Sequence, residues 1–431
     1  MRTTWWWRLS GYVLRHRGSL MLGFGASLVG TVIAVMVPLV SKRVIDDAIA
    51  ADHRSLAPWA AVLLGAAGAV YLLTLARRYY GGRIAYLVQH DLRIEAFRAL
   101  MRWDGREQDR WSSGQLIVRT TNDLQLVEAL LFDLPNVLRH VLTLVLCVLV
   151  MIWLAPLLAL LVVLLIPVIW SIAHRSRRLL AAATECAQER NATVIGVVDA
   201  AVSGIQVVKA FGQQAQEVVK LATAGRALFA ARLRVARLNA HFGSLLQGLP
   251  ALGRMAVFAL GGWMAAQGTI TVGTFVAFWS CLALVSRPAG DLAGMLTVAQ
   301  QARAGAVRVF ELIDSEPMLM DGTTPLPSGA PASLEFEHAS FGYVAGRPVL
   351  RDINLSVQPG ETLVVVGAPG SGKSTLASLI MRCYDVTEGA VRIGGLDVRE
   401  LTLDSLRSAI HLVPEEAVLF SGTIAANIAH G

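Results

Sequence analysis

Long apolar stretches alternate with polar segments along the chain up to about residue 285. Six of these stretches have about the length that a helix needs to cross a bilayer, which is roughly 20 residues. They run at about 20–40, 57–75, 134–154, 157–172, 245–265 and 272–285. Ala155 and Pro156 predict a hinge between the third and fourth stretches. After the second and fourth, the helical pattern continues into the polar connection, which predicts helical rods extending beyond the apolar spans.

The polar connections differ in their basic residues. Those after the first, third and fifth stretches are short and carry few positive charges, whereas the long ones after the second and fourth are rich in arginine. Because basic residues prefer the cytoplasmic side of a membrane, we expect both termini in the cytoplasm of a multi-pass protein of the cell (plasma or inner) membrane. The tryptophans at 5–7, flanked by Arg2 and Arg8, indicate an amphipathic entry helix at the interface.

Composition agrees with a membrane protein. Hydrophobic residues make up 55% of the chain and charged residues 16%, whereas soluble domains average roughly 45–50% and 25%. The net charge of +7 raises the question of a nucleic-acid partner. The basic residues, however, cluster at the ends of apolar stretches and form no single stripe. We therefore expect a lipid bilayer as a partner and no nucleic acid.

The pattern changes after about residue 314. Residues 321–331 are rich in Gly, Pro, Ser and Thr, which is typical of an interdomain linker. Short strand patterns follow at 333–336, 349–353 and 390–393, the last of them with a turn at Gly394 and Gly395. The predicted domains are a transmembrane domain with six helices and two long cytoplasmic loops over 1–314, a linker over 315–332, and an α/β domain over 333–431.

A glycine-rich motif lies inside this last domain. Residues 367–374 read G-A-P-G-S-G-K-S and match the phosphate-binding pattern G-x-x-x-x-G-K-[ST]. The apolar run 363–366 predicts a buried strand before the motif, and 375–381 predicts a helix after it. Backbone N–H groups of such a loop surround phosphate oxygens, the lysine reaches the β- and γ-phosphates, and the serine hydroxyl binds Mg²⁺. The predicted nucleotide-binding residues here are Gly367, Gly370, Ser371, Gly372, Lys373, Ser374 and Thr375.

Further motifs give the chain its resemblance to a known family. Residues 341–343 (Phe-Gly-Tyr) resemble a segment whose aromatic residue stacks on adenine. Residues 385–394 and 413–424 resemble later segments of an ATP-binding cassette, and 114–123 and 203–211 resemble two cytoplasmic coupling segments. Over essentially its whole length the chain is similar to a half-transporter of the ABC exporter superfamily. The resemblance implies an α-helical polytopic membrane domain of the exporter type, with six transmembrane helices. The N-terminal part of an α/β P-loop nucleotide-binding domain follows it.

The resemblance also implies a function. ATP and Mg²⁺ are the implied cofactors, and Tyr343 is the candidate for the adenine contact. The chain resembles one half of a dimeric, ATPase-coupled exporter that moves an amphipathic, drug-like or lipid-like substrate outward, with a second half-transporter as its partner. Two alternatives stay open. One is a non-hydrolysing membrane subunit of a heterodimeric transporter, and the other is an importer built on the exporter-type fold.

Glu415 departs from the family pattern, which has a glutamine that contacts Mg²⁺ at this position. A carboxylate also binds Mg²⁺, so Ser374 and Glu415 are the candidate metal ligands. The added negative charge near the γ-phosphate disfavours ATP unless a cation offsets it. Either Glu415 is a tolerated variant, or the chain is one half of an asymmetric heterodimer with unequal ATP sites. We favour the heterodimer, and a homodimer stays possible.

Three family features do not occur in these residues. They are the L-S-G-G-Q signature, the acidic strand with a catalytic glutamate, and the switch histidine. We therefore assign no catalytic residue in this chain and treat residues 333–431 as an incomplete ATP-binding cassette domain. The expectation is that the 431 residues alone bind ATP without hydrolysing it.

Ionisable residues inside the apolar stretches are the one indication of a substrate. Such residues usually face a cavity or a charged partner. Arg139 and His140 lie in the inner part of the third stretch and Arg254 in the fifth. Arg287 and Asp291 follow the sixth at i, i+4 spacing, so they are expected to pair with each other. Arg254 is therefore the better cavity candidate of these, although none of them names a substrate.

Overall fold

The computed structural model describes residues 4–49, 57–286, 288–413, 415 and 418–429, so Arg287 lies outside the described residues. Up to residue 313 the described elements are helices. They are α1 (Thr4–Arg15), α2 (Arg17–Arg43, continued by a π-helical turn at Val44–Ile49), α3 (Ala57–Met101), α4 (Gly105–Asp109), α5 (Ser113–Thr120), α6 (Asn122–Leu154), α7 (Pro156–Ser203), α8 (Ile205–Ala210), α9 (Gln214–Ala266), α10 (Val272–Ser286) and α11 (Pro288–Ile313).

Long apolar helices confirm the predicted helical membrane domain. Among the described residues, five helical segments are long and apolar enough to cross a membrane: Arg17–Asp46, Ala57–Met101, Ser113–Leu154, Pro156–Ser203 and Gln214–Ala266. A shorter apolar helix, Val272–Val285, coincides with the sixth predicted stretch. The hinge also lies where it was predicted, since α6 ends at Leu154 and α7 begins at Pro156. Proline suits this first helical position because its missing N–H would have no intrahelical partner there.

The chain divides into two compact units. The sheet unit takes in the described residues of Met1–Arg15, Ala85–Ala129 and Gln300–Gly431, and the membrane unit takes in those of His16–Ile84 and Leu130–Ala299. Within the membrane unit, α7 packs along α9, and α10 packs against α2 and α9. The buried apolar core of this unit includes Val35, Cys147, Met151, Leu158, Val257, Phe278 and Cys281.

Asp46 holds the start of α10 within the membrane unit. Its carboxylate accepts hydrogen bonds from the Gly273 N–H (2.9 Å) and from the Thr271 hydroxyl (2.7 Å). The Thr271 hydroxyl oxygen in turn accepts from the Thr274 N–H at 3.0 Å. Free N–H groups at a helix start favour such oxygen acceptors and a negative charge. The π-helical turn that continues α2 is therefore hydrogen-bonded to the start of α10.

The sheet unit contains an antiparallel sheet with a helix packed on it. Beyond residue 333 the described elements are β1 (Leu334–Phe341), β2 (Leu350–Val357), α12 (Lys373–Ile380), β3 (Glu388–Ile393), β4 (Leu396–Asp397), α13 (Leu403–Ala409) and α14 (Ile424–Ile428). The strand order is β2-β1-β3-β4. Phe336 of β1 lies opposite Leu355 of β2 and Val391 of β3, and buried Leu379 of α12 packs into the same core. Three predicted strands thus fall on β1, β2 and β3.

The buried strand predicted at 363–366 is wrong. Residues 361–368 form no regular element, and Val364 and Val366 are 74% and 84% exposed. An isolated extended segment is not stable as a strand, because its backbone N–H and C=O groups need a neighbouring strand to pair with. No described strand lies beside 363–366. The apolar β-branched composition of 363–366 favours a β-strand, but a strand also needs a neighbouring strand to hydrogen-bond with.

The Gly- and Pro-rich segment 321–331 is hydrogen-bonded to the sheet unit. Thr324 donates to the Glu400 carbonyl at 3.0 Å and its own carbonyl accepts from the Thr402 N–H at 2.9 Å. Asp321 accepts from the Leu403 N–H (2.7 Å) at the start of α13. This part of the predicted linker therefore follows the edge of the sheet domain rather than extending freely.

Candidate nucleotide-binding site

The glycine-rich loop has a backbone that requires glycine. Gly370 and Gly372 adopt φ values of 79° and 97°, a left-handed region that side chains disfavour. Gly372 is also the residue before α12, and a Cβ added there would lie 2.7 Å from the Leu350 side chain. The loop therefore turns tightly into the N-terminus of α12 beside strand β2. The first N–H groups of a helix lack intrahelical partners, which makes this end suited to an anion.

Lys373 closes the loop from one side. Its ammonium Nζ donates to the carbonyl oxygens of Gly367 (2.8 Å) and Ala368 (2.9 Å) and lies 3.5 Å from the Ser371 hydroxyl. These contacts hold a positive charge against the loop where phosphate oxygens would bind. An ammonium group is a compact cation with rotatable donors. The site therefore combines the Lys373 ammonium, the left-handed glycines and the N-terminus of α12. This combination fits the phosphate groups of a nucleotide.

The two hydroxyl residues after Lys373 have different surroundings. Thr375 is buried at 5% exposure, and its hydroxyl lies 3.1 Å from the Tyr343 hydroxyl. Ser374 lies in the first turn of α12, where its carbonyl accepts from the Ser378 hydroxyl. The Mg²⁺ role of the Ser374 hydroxyl stays a prediction, whereas Thr375 joins the loop to the aromatic residues next to it.

Three aromatic residues form a cluster beside the loop. The Tyr343 ring meets the rings of Phe341 and Tyr384 edge to face, with centroids 5.0 and 5.3 Å apart. Phe341 is fully buried, while Tyr343 is 45% exposed. Edge-to-face contacts between aromatic rings are favourable, so Tyr343 presents a packed, half-exposed aromatic surface next to the phosphate loop. This arrangement fits a stacked adenine.

Glu415 is exposed, and its neighbours Pro414, Glu416 and Ala417 lie outside the described residues. In the part of the chain that the structure describes, no hydrogen bond or ion pair joins Glu415 to Ser374 or to the loop. The structure therefore brings together the loop, α12 and Tyr343. The metal role of Glu415 stays a prediction.

The structure adds a contact that the sequence motifs did not predict. Helix α4 lies against the aromatic cluster. The Gly105 N–H donates to the Cys383 carbonyl at 3.0 Å, and the Tyr384 hydroxyl donates to Asp109 Oδ2 at 2.8 Å. Burial, together with the Asp109 carboxylate, raises the pKa of Tyr384 above its usual range, so its hydroxyl stays protonated and donates at neutral pH. The first coupling segment was predicted at 114–123, yet the helix just before it reaches the nucleotide site.

A capping signal marks α4 in the sequence. Asp104 is the N-cap: its Oδ1 accepts from the Glu107 N–H at 2.9 Å. Its other oxygen accepts from the N–H groups of Met318 (2.7 Å) and Leu319 (3.0 Å). The Asp-x-x-Glu spacing at 104–107 is typical of a helix start, so α4 itself was detectable. Its contact with Tyr384 was not, because that depends on tertiary packing.

The predicted coupling segments are short helices joined to longer ones. Residues 114–123 cover α5, which begins with a capping box between Ser112 and Gln115, and the start of α6. Asp123 there is buried and pairs with Arg308 of α11 through two hydrogen bonds of 2.7 and 2.5 Å. Residues 203–211 take in the last residue of α7, Gly204, the short helix α8 and its C-cap Phe211, which is 74% exposed.

Two family models match the chain. The model described as ABC transporter transmembrane region matches residues 20–289, and the model described as ABC transporter matches residues 350–429. The chain is 79% identical over 431 residues to a multidrug efflux ATP-binding/permease protein of Mycobacterium tuberculosis, covering 100% of this chain and 36% of that protein. It is 31% identical over 438 residues to an ATP-dependent lipid A-core flippase of Thiobacillus denitrificans, covering 98% of this chain and 74% of that protein.

A further relative extends this comparison. The chain is 35% identical over 348 residues to a fatty acid ABC transporter ATP-binding/permease protein of Mycobacterium bovis, covering 76% of this chain and 51% of that protein. The chain spans 36% of the multidrug efflux relative but 74% of the flippase. The first relative is therefore about twice as long as the second.

Proposed function

Since this chain belongs to the ABC transporter family, as an efflux-type membrane domain joined to an ATP-binding domain, we propose that it is one half of an ATP-driven exporter of amphipathic compounds. The observation that carries this proposal is the loop at 367–374, which joins two left-handed glycines to a helix start and the Lys373 ammonium. ATP binding and hydrolysis supply the free energy for the conformational cycle of such a transporter.

Each residue of the site has a distinct role in this proposal. Lys373 and the backbone N–H groups of Gly370, Ser371 and Gly372 hold the phosphates, and Tyr343 stacks on the base. Ser374 offers its hydroxyl to Mg²⁺. Support for these roles comes from the loop geometry and from the packed, half-exposed Tyr343 ring beside it.

Helix α4 is the proposed route by which nucleotide binding moves the membrane helices. Tyr384 touches both Tyr343 and Asp109, so one side chain contacts the base-stacking residue and the short helix that follows α3. A displacement of Tyr343 on nucleotide binding would press on Tyr384 and through it on α4. Three direct contacts support this route: Tyr343 with Tyr384, Tyr384 with Asp109, and the Gly105 N–H with the Cys383 carbonyl.

Orientation and location follow from the basic connections. We propose a multi-pass protein of the cell membrane with both termini, α4, α8 and the nucleotide site in the cytoplasm. The arginine-rich long connections support this orientation. The similarity to a multidrug efflux ATP-binding/permease protein supports outward movement.

The proposed partner is a second, unequal half-transporter. Two identical halves would place a Glu415 carboxylate at both ATP sites, where its charge opposes that of the γ-phosphate. The multidrug efflux relative is about twice as long as the flippase, which is the length expected when two halves share one polypeptide. Two fused halves need not be identical, so this relative supports asymmetry. Replacing Glu415 by glutamine is then expected to raise the ATPase rate of the complete transporter.

Amphipathic compounds are the proposed substrates. Three relatives are named for multidrug efflux, for a lipid A-core flippase and for fatty acid transport. The compounds in these names have an apolar part. Two alternatives make different predictions. A non-hydrolysing subunit would bind ATP without hydrolysing it, and an importer on the exporter-type fold would move its substrate inward.

Photolabelling of the full-length transporter with azido-ATP tests the nucleotide site. We expect labelling that excess ATP prevents and that Lys373→Ala abolishes. Lys220→Ala is the matched control, because Lys220 is an exposed lysine that pairs with Glu217 on α9. Labelling that is equal in wild type and Lys373→Ala would disprove the proposed site.

A further inference from the structure

A cluster of charged residues lies inside the membrane unit, where three helices meet. We call it the Arg139 cluster. It comprises Arg77 and Arg78 of α3, Asp133, Arg139 and His140 of α6, and Asp291 of α11. Arg139 Nη2 lies 3.3 Å from each ring nitrogen of His140, and His140 Nε2 lies 3.5 Å from Asp291 Oδ2. Arg77 interacts electrostatically with Arg139, Arg78 and Asp133.

The cluster lies at membrane depth. Arg139 precedes the outer end of α6 at Leu154 by roughly 15 residues, or about 22 Å of helix. Arg77 follows the start of α3 at Ala57 by roughly 20 residues, or about 30 Å. Since the hydrocarbon core is about 30 Å thick, both arginines lie in its inner part in the proposed orientation. That part of the core adjoins the headgroups of the cytoplasmic leaflet.

Positive charge exceeds negative charge in the cluster. Three arginines face two aspartates, and Asp291 is itself largely exposed, with a side-chain exposure of 57%. Asp133 also accepts a hydrogen bond from Asn136 at 2.9 Å, so part of its acceptor capacity is already used. The two aspartates therefore do not neutralise the three guanidinium groups.

The donors of the cluster are also incompletely satisfied. Arg139 Nε is buried and has no hydrogen-bond partner among the described residues. Arg77 is only 8% exposed, and Asp133 is the carboxylate that interacts with it electrostatically. Leaving a buried donor unpaired costs about 1–3 kcal/mol, and more when the donor is charged. Charged residues at membrane depth usually face a cavity, a partner or a substrate.

We propose that the Arg139 cluster binds the oxyanion headgroup, a carboxylate or a phosphate, of an amphiphile that enters from the inner leaflet. The planar fork of an arginine donates two parallel hydrogen bonds to such a group. Arg77 and Arg139 supply forks from two different helices, and His140 supplies a ring donor beside them. This inference rests on the proposed export function and deepens it, because it selects anionic amphiphiles over neutral and cationic ones.

Paired probes test the site in the full-length transporter in nanodiscs of phosphatidylcholine. One probe is a pyrene-labelled long-chain fatty acid, and the other is its methyl ester, which has the same tail and no charge. Wild type should bind the acid at least tenfold more tightly than the ester. Arg139→Gln and Arg77→Gln should each remove most of that preference and leave ester binding unchanged. Arg177→Gln, an exposed arginine of α7 in the same unit, is the control and should preserve the preference.

Azido-ATP labelling of the same samples separates this inference from the proposed function. Equal binding of acid and ester by a wild type that labels with azido-ATP would overturn the headgroup site alone. Loss of both probes in the two variants, in equal measure, would show a packing role and overturn it too. Absence of labelling in wild type would instead contradict the proposed function.

A final comparison identifies the source of the headgroup. Adding phosphatidylglycerol to the nanodiscs should leave acid binding unchanged if the site selects a transported amphiphile. Displacement of the acid by phosphatidylglycerol would show that the site takes headgroups of bilayer lipids. Both results support an oxyanion site.

Discussion

Gly105 is the residue at which the contact between α4 and the nucleotide site is most easily perturbed. A Cβ added at Gly105 would overlap the Tyr384 ring, and two ring carbons would lie 2.7 Å from it. The ring is held by Phe341 and Tyr343 on its other sides, with centroids at 5.4 and 5.3 Å. Gly105→Ala should therefore push α4 away from Tyr384 rather than move the ring.

The cost of this displacement has two parts. Forcing an extra methyl group into a packed contact costs about 1–3 kcal/mol. Moving α4 also lengthens the hydrogen bonds from Gly105 to the Cys383 carbonyl and from Tyr384 to Asp109, each worth about 0.5–1.5 kcal/mol. Because Asp109 is exposed, we take the lower part of both ranges, about 2–3 kcal/mol in total. That corresponds to about a 30- to 150-fold loss in the population with α4 docked.

Coupled transport in proteoliposomes measures the consequence. Gly105→Ala should keep azido-ATP labelling and lose at least tenfold in substrate transported per ATP hydrolysed. In a Tyr384→Ala background, where the ring is absent, adding Gly105→Ala should cause no further loss. Gly114→Ala is the control, because a Cβ there meets nothing within 4 Å. An equal loss from Gly105→Ala in both backgrounds, or a loss from Gly114→Ala of the same size, would refute the proposed contact.

Three further predictions concern separate contacts. Arg308→Met should lower the free energy of unfolding by about 2–4 kcal/mol in denaturant titration, because it strands the buried Asp123 carboxylate. Lys220→Met, at the more exposed pair with Glu217, should cost under about 1 kcal/mol. Tyr343→Ala should weaken ATP binding by about 1–3 kcal/mol in fluorescence titration, whereas Tyr343→Phe should be nearly neutral. An equal loss of ATP affinity from the two substitutions would show that the Tyr343 hydroxyl, and not the ring, makes the contact. Burial and the neighbouring Glu95 raise the pKa of Tyr12 to about 12, so its stabilising contact should persist through pH 10 and be lost as pH rises through about 12. Tyr12→Phe should then delete a late phase from the absorbance titration at alkaline pH, and an unchanged titration curve would contradict this.

Sequence patterns were most informative where a single segment determines its own structure. The apolar spans depend only on length and composition: among the described residues, five of the six fall in helices long enough to cross a membrane and the sixth in a shorter apolar helix. Pro156 marks a helix start by its own chemistry. The phosphate loop is similar: its pattern requires glycine at position 372, where the structure has a φ value of 97°. The ligand roles of Lys373, Ser374 and Glu415 stay predictions, because they concern bound groups.

The sequence was least informative where structure depends on distant partners. Residues 363–366 have a strand-like composition, but a strand requires a neighbour to hydrogen-bond with, and no described segment provides one. The contact of Gly105 and Asp109 with Tyr384 joins residues far apart in the chain, and nothing in their spacing reveals it. The predicted pairing of Arg287 with Asp291 falls outside the described residues and stays a prediction, while the contact of Asp291 with His140 at 3.5 Å was not predicted.

Uptake into inside-out membrane vesicles tests most directly whether this chain drives export with ATP. Vesicles carrying the full-length transporter or its Lys373→Ala variant, at equal protein levels, are given a fluorescent amphiphilic dye with and without ATP and Mg²⁺. We expect wild-type vesicles to accumulate dye only when ATP is present, and Lys373→Ala vesicles to show no ATP-dependent accumulation. Equal accumulation by the two proteins would show that the loop at 367–374 does not power transport, and ATP-dependent loss of preloaded dye from wild-type vesicles would show transport in the opposite direction.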